Sequence, residues 1–181
     1  MKPSLSCGIL LVTAVLIAPL LAASSAAAAS LTITSPAIRD GGRIPITFTC
    51  HGSDKSPPLA WSGIPQGTRS LALIVQDPDA PDGVFIHWVA FNIPANSKGL
   101  DSGIPDRTEI PSGGMQGKNS FGRTGYGGPC PPSGRVHHYH FRLFALDETL
   151  PAGSDMTADK LQELMNGHVK AEAEFVGIFG R

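Results

Sequence analysis

Two hydrophobic runs of strand length, residues 71–76 and 85–93, flank a polar elbow, Asp77-Pro78-Asp79-Ala80-Pro81. Each proline fixes its own φ, disfavours helix in the residue before it and removes a backbone donor, so neither a helix nor a central strand passes through the elbow. The chain must leave its sheet there. The two runs are the most hydrophobic strands predicted after the N-terminal segment and are placed at the sheet centre. Period-two alternation puts Phe85, His87, Val89 and Phe91 on one face. Upstream, residues 31–34 and 44–50 read as strands. The second alternates Ile44, Ile46, Phe48 and Cys50 against Pro45, Thr47 and Thr49, and Asp40-Gly41-Gly42 supplies the turn between the two. Residues 51–65 are too rich in Pro and Gly for regular structure, and Trp61 is expected to cap the core from this loop.

From residue 94 to 134 periodicity vanishes. Loops of that length are usually functional or disordered, and the segment closes on Gly125-Tyr126-Gly127-Gly128-Pro129-Cys130-Pro131-Pro132. Gly127 and Gly128 either let backbone amides approach a ligand or satisfy positive φ in a tight turn. Alternation resumes over residues 137–146, with His137, Tyr139, Phe141, Leu143 and Ala145 facing the core and His138, His140 and Arg142 on a solvated polar face. Thr157 N-caps a short helix over residues 158–166, striped by Leu161, Leu164 and Met165 and ended by Gly167. Residues 169–175 form a last strand with one face in solvent. Strands dominate, so the fold class is mainly β: an antiparallel β-sandwich with one or two short peripheral helices.

Residues 1–29 stand apart. Lys2 gives a positive start, residues 8–21 are apolar and interrupted by Pro19, and Ala26–Ala29 offers a small-residue cleavage site, the pattern of a secretory signal. The apolar run is shorter than the roughly 20 residues a spanning helix needs. Cleavage would leave 152 of the 181 residues as a single domain, 30–181, in the periplasm or outside the cell. Lys2 is the one charge lost, taking the formal net charge from −1 to −2. That balance gives no electrostatic case for nucleic acid or an anionic membrane. Export places Cys50 and Cys130 where disulfides persist, which favours a bridge over two buried thiols.

The elbow's two carboxylates, with His87 and Trp88 on the following strand, suit a small polar pocket with an aromatic wall. They equally suit an Asx-type turn whose acids bond their own backbone. His137 and Tyr139, at the inward end of their strand, read either as core groups with satisfied hydrogen bonds or as site residues.

Taken together, Asp77-Pro78-Asp79-Ala80-Pro81, His87-Trp88, the Gly125–Pro132 run and His137-x-Tyr139 resemble, in order and spacing, the phosphatidylethanolamine-binding protein family. The closer likeness is to its bacterial branch of Raf-kinase-inhibitor-like proteins, over nearly the whole chain after residue 29. The resemblance implies a Greek-key β-sandwich with a small anion pocket that accepts phosphate or a phosphoethanolamine headgroup, lined by Asp77, Pro81, His87, Gly128, His137 and Tyr139. In that pocket the Gly128 amide and the Tyr139 hydroxyl would donate to the anion. His87 would donate from one ring nitrogen while Asp77 orients the other and favours the imidazolium. The chain stops just past its last strand, where animal members carry a further helix, and export separates it from cytosolic kinases. No nucleophile belongs to the matching motifs, so a binding module without cofactor or metal is the first expectation. A hydrolase using Asp77, His87 and His137 as metal ligands or as acid and base is the second. An inhibitor-type interaction protein with a partner of unknown identity is the third. A homodimer is expected by likeness to bacterial relatives, with Phe121, Val176, Ile178 and Phe179 as candidate interface residues.

Overall fold

The apolar run 71–75 forms the heart of strand β4 (Ser70–Asp77), every residue of it essentially inaccessible to solvent. Its neighbours on either side are β5 (Phe85–Pro94) and β8 (Val136–Leu146), both antiparallel to it. The computed structural model describes residues 30–153 and 155–180, so the predicted export segment lies outside the described residues. Among these, β9 (Val169–Gly180) pairs with β8, and β2 (Gly42–Arg43) and β7 (Met115–Gln116) close the two ends. The sheet order is β2-β9-β8-β4-β5-β7, antiparallel except for the β2-β9 pair. Within it, β8-β4-β5-β7 has the Greek-key arrangement, three consecutive strands of the sheet and a fourth returning beside the first. A smaller sheet, β1 (Thr32–Thr34), β3 (Leu59–Ser62) and β6 (Gly99–Leu100), packs over one face.

The larger sheet is apolar on both sides. One face and the small sheet enclose Leu71, Leu73, Trp88, Phe141 and Phe175, with the last two rings stacked at 4.5 Å. The other face packs Ile74, Val89, Phe91 and Phe144 beneath the helix α1 (Ala158–Met165), through Leu161 and Met165. Each fully buried large side chain contributes about 1.5–3 kcal/mol. Thr157 caps α1 as expected, its hydroxyl accepting from the Lys160 amide, but the helix ends one residue early, at Met165.

Three expectations are corrected. Residues 44–50 are not a strand: only Gly42–Arg43 joins the ladder, and Ile46–Phe48 is a 3₁₀ turn. Pro45 has no amide to donate, and the Thr49 hydroxyl bonds the Ile46 carbonyl at 2.9 Å, so local turn bonds outcompete the ladder. Trp61 lies in β3 rather than a loop, its indole donating to the Ser97 carbonyl at 2.9 Å. The last strand runs on to Gly180 because Phe175 and Phe179 are buried in the sandwich, which also removes Phe179 from any exposed interface.

The fourth departure shapes the site. Gln76 pairs with Ile86 and Val75 with Trp88, leaving His87 as an extra residue in β5, a β-bulge. Alternation is reset there. Phe85 and His87 face one end of the sandwich, Trp88 and Ala90 continue its core, and Ile86, Val89 and Phe91 turn to the helix side.

Candidate functional site

Asp77 is the last residue of β4, and the elbow that follows gives its two oxygens different work. Oδ1 accepts from the Asp79 amide at 2.9 Å, which is the Asx turn, while Oδ2 accepts from Nδ1 of His137 at 2.7 Å. The Asx turn is thus present, and the same carboxylate also holds a histidine. Asp77 and His137 are 3% and 2% exposed, a buried pair formed because β8 lies beside β4 and His137 points inward near its start. The second acid is pinned outside. Asp79 Oδ2 accepts from the amide of His138 at 2.8 Å and from its Nδ1 at 2.7 Å, and these bonds hold the Asp79 carboxyl below its ordinary value. Consecutive residues of β8 thus clamp the elbow from inside and outside.

A carboxylate only accepts, so Nδ1 of His137 carries the hydrogen and Nε2 remains. Among the described residues, just two buried side-chain polar atoms lack a protein hydrogen-bond partner: Nε2 of His137 and the Tyr139 hydroxyl. Buried polar groups are nearly always paired, so two orphans two residues apart on the same face of β8 call for an explanation. Burial, followed by the nearby charge of Asp77, holds the Tyr139 phenol far above its ordinary value, so it stays a donor. Asp77 acts there first through its charge and then through a contact with the hydroxyl that falls short of full hydrogen-bond geometry.

His87 has a different partner from the one expected. Its Nδ1 donates to the Gly127 carbonyl at 2.6 Å, and the Gly127 amide returns a bond to the His87 carbonyl at 2.8 Å. Burial lowers the pKa of His87, opposed in part by the Gly127 carbonyl and by the charge of Asp77. Burial thus favours the neutral ring, whereas an imidazolium oriented by Asp77 was expected. The bulge explains this, since it turns His87 toward the 121–128 segment, where it meets Phe121 and Tyr139 edge-on at 5.7 and 5.1 Å.

Gly128 also departs from expectation. Its amide donates to Asp54 Oδ1 at 2.7 Å, and Asp54 Oδ2 takes Arg123 at 2.6 Å. A side chain at Gly128 would strike the Phe48 carbonyl and Asp54 at 2.5 Å. Glycine is needed there for close packing of two chain segments, and its amide is already engaged.

These groups border a cavity of about 420 Å³, lined by Asp77, Pro81, His87 and His137 together with Val84, Phe85, Ser120, Phe121 and Pro132. Four of the six expected residues line it, while Tyr139 and Gly128 stand behind its wall. Asp77, His87 and His137 do not bring three ligand atoms within 4.8 Å of one another; among the described residues, the cluster that does so is Cys50, His51 and Cys130. Cys50 and Cys130 are joined in a disulfide with Cα atoms 5.5 Å apart, and Cys130 forms part of the cavity rim. Sequence reasoning missed Asp54, and it offered Phe121 as an interface residue without placing it at the cavity. Phe121 sits in an aperiodic loop, and no local pattern links Asp54 to a glycine 74 residues later.

The sequence profile described as phosphatidylethanolamine-binding protein matches residues 34–180. The chain belongs to the phosphatidylethanolamine-binding protein family. Among relatives, a UPF0098 protein of Methanothermobacter thermautotrophicus is 48% identical over 151 residues, covering 83% of this chain and 99% of that one. The crystal structure of YbcL from Escherichia coli, described as a member of the mammalian PEBP family, superposes with a TM-score of 0.79 at 36% identity, covering 84% of this chain and 99% of YbcL. A Mycobacterium tuberculosis relative that bears a lipoprotein name, LppC, is 40% identical, covering 84% of this chain and 74% of its own. In this member of the family, no Lys or Arg among the described residues lines the cavity, so positive charge within it has to come from an imidazole.

Proposed function

We propose that the chain is an exported receptor for small phosphate-type anions, the phosphoethanolamine headgroup included, and that it binds them without turnover. The observation that carries this reading is the pair of unpartnered buried atoms, His137 Nε2 and Tyr139 Oη, beside an open cavity. A phosphate oxygen at the His137 wall would accept from Nε2, and from the Tyr139 hydroxyl once the wall in front of that ring gives way. On this reading Asp77 fixes the ring of His137 and balances the proton that Nε2 must carry to act as a donor. Calorimetry of sulfate and phosphoethanolamine should show both anions binding, with no product formed from the ester. Absence of binding, or a His137→Ala variant that binds as the parent does, rejects the proposal.

Residues 1–29 read as the export signal, and intact mass of protein from the native host should show them removed. A homodimer belongs to the same reading. Phe121 at 44% exposure and the half-buried Val176 and Ile178 remain its apolar candidates, Val84 at 57% joins them, and Phe179 is buried; only monomer by light scattering at high concentration would remove it. A protein partner, if the anion site modulates one, docks at this same rim. The second reading is an acid/base hydrolase, favoured by the Asp77–His137 pair with its Nε2 directed onward. Phosphate released from a phosphoethanolamine ester at a rate abolished by His137→Ala would put it first.

A further inference from the structure

The cysteine pair carries a separate possibility. We propose that when the Cys50–Cys130 disulfide is reduced the protein binds one thiophilic cation of the Zn²⁺ class, held by both thiolates and a ring nitrogen of His51. One ligand-capable atom from each of these three residues already lies within 4.8 Å of the other two, and all three residues are exposed, so both a reductant and a metal ion can reach them.

The case rests on what remains after the sulfur–sulfur bond is cut. The segments carrying the two cysteines are held together by bonds that do not involve sulfur. The Cys50 amide donates to the Pro129 carbonyl at 3.2 Å, the Tyr126 hydroxyl to the Phe48 carbonyl at 2.7 Å, and the Gly128 amide to Asp54 at 2.7 Å. Reduction thus leaves two thiols side by side on a backbone that still fixes their Cα atoms near 5.5 Å. In a tetrahedral zinc site with Zn–S distances of about 2.3 Å the sulfurs stand roughly 3.8 Å apart. Rotation about each Cα–Cβ bond reaches that separation from such a backbone. The His51 ring is restrained as well, stacked on Phe179 at 6.2 Å. Two thiolates and an imidazole are three of the four ligands of a zinc site, leaving the fourth position to water.

The chemistry balances in two steps. A dithiol reductant gives two electrons and two protons to the disulfide, becoming a disulfide itself and leaving two cysteine thiols. Zn²⁺ then replaces both thiol protons, which pass to solvent, and the neutral His51 ring adds without proton release.

The test uses the full mature chain in three forms: oxidised, reduced with a phosphine that does not compete for zinc, and reduced His51→Ala. Each is dialysed against Zn²⁺ alone and analysed for metal content and affinity by chelator competition, with circular dichroism as the control for folding. The expected result is one zinc per reduced chain and none retained by the oxidised chain. The oxidised form also controls for the surface pairs His138–Asp79 and His168–Asp147, which are the same in both. His51→Ala should weaken zinc by more than the roughly 10-fold lost when even a supporting partner of a metal ligand is removed. A reduced chain that takes up no more zinc than the oxidised one, whether it stays folded or not, overturns the proposal. So does His51→Ala binding as tightly as the parent.

Discussion

Removing the Tyr139 hydroxyl separates stability from binding more cleanly than any other change to the site. Tyr139 is 1% exposed, packs edge-on against His87, and its hydroxyl has no partner of full hydrogen-bond geometry. Tyr139→Phe therefore breaks no well-formed internal hydrogen bond and keeps the ring. A buried hydroxyl without a partner is a liability of about 1–3 kcal/mol, reduced here by the nearby Asp77 carboxylate. Stability should accordingly hold or rise by up to about 1 kcal/mol, a shift of roughly 2–4 °C in melting temperature for a domain of this size. Binding should move the other way. A hydrogen bond to a charged group contributes about 1.5–3 kcal/mol, so sulfate affinity should drop roughly 10- to 150-fold at about 1.4 kcal/mol per tenfold. Thermal melts and sulfate calorimetry on the same preparations read both quantities. Unchanged sulfate affinity, or a loss of stability beyond about 2 kcal/mol, would show that the hydroxyl is paired inside the fold and that the reasoning is wrong.

Acid should act through His87. Its pKa is lowered from 6.5 by burial, so below that pH the unfolded chain takes up a proton that the folded chain refuses, and stability should decline as pH falls; a His87→Phe variant with the same acid profile in urea melts would contradict this. The double variant Cys50→Ser, Cys130→Ser opens a loop with a sequence separation of 80 and should lose about 4–5 kcal/mol in the chain-entropy account, against which a loss under about 1 kcal/mol would count. Asp54→Ala leaves the buried Gly128 amide and Arg123 without their partner and should lower stability by about 1–3 kcal/mol; denaturant curves superimposable on the parent's would show that water replaces the carboxylate at no loss.

The long strands and the helix were legible because nothing local competes with their periodicity. In β8 as far as Leu143 and in the first half of β9 one face alternates regularly with the other, and the Thr157 cap announces α1. Where side chains bond nearby backbone, pattern misleads: residues 44–50 alternate like a strand, yet Pro45 and Thr49 commit them to a turn. A bulge is equally hidden. One extra residue in β5 sends His87 and Val89 to opposite sides, although strict alternation puts them together. The site's residue types were readable and its pairings were not. Asp77 had two histidines to choose from, and the choice follows from sheet order, since β8 rather than the bulged part of β5 brings an inward imidazole to the end of β4. The Asp54–Gly128 bond depends on two loops meeting, for which no periodicity exists.

The strands that terminate the two sheets are all brief. The six-stranded sheet ends in β2 and β7 with two residues each, and the smaller one in β1 and β6 with three and two. An exposed strand edge is a template on which a foreign chain can build cross-β structure, and short edges deny it a foothold. Among the described residues, β4 keeps its ladders inside between β5 and β8, whereas β9 meets its short outer neighbour only at Gly177 and Ile178. The same feature marks where engineering would do harm: lengthening β7 along β5 would create the unpaired ribbon that the native chain withholds, and with it a route to fibres.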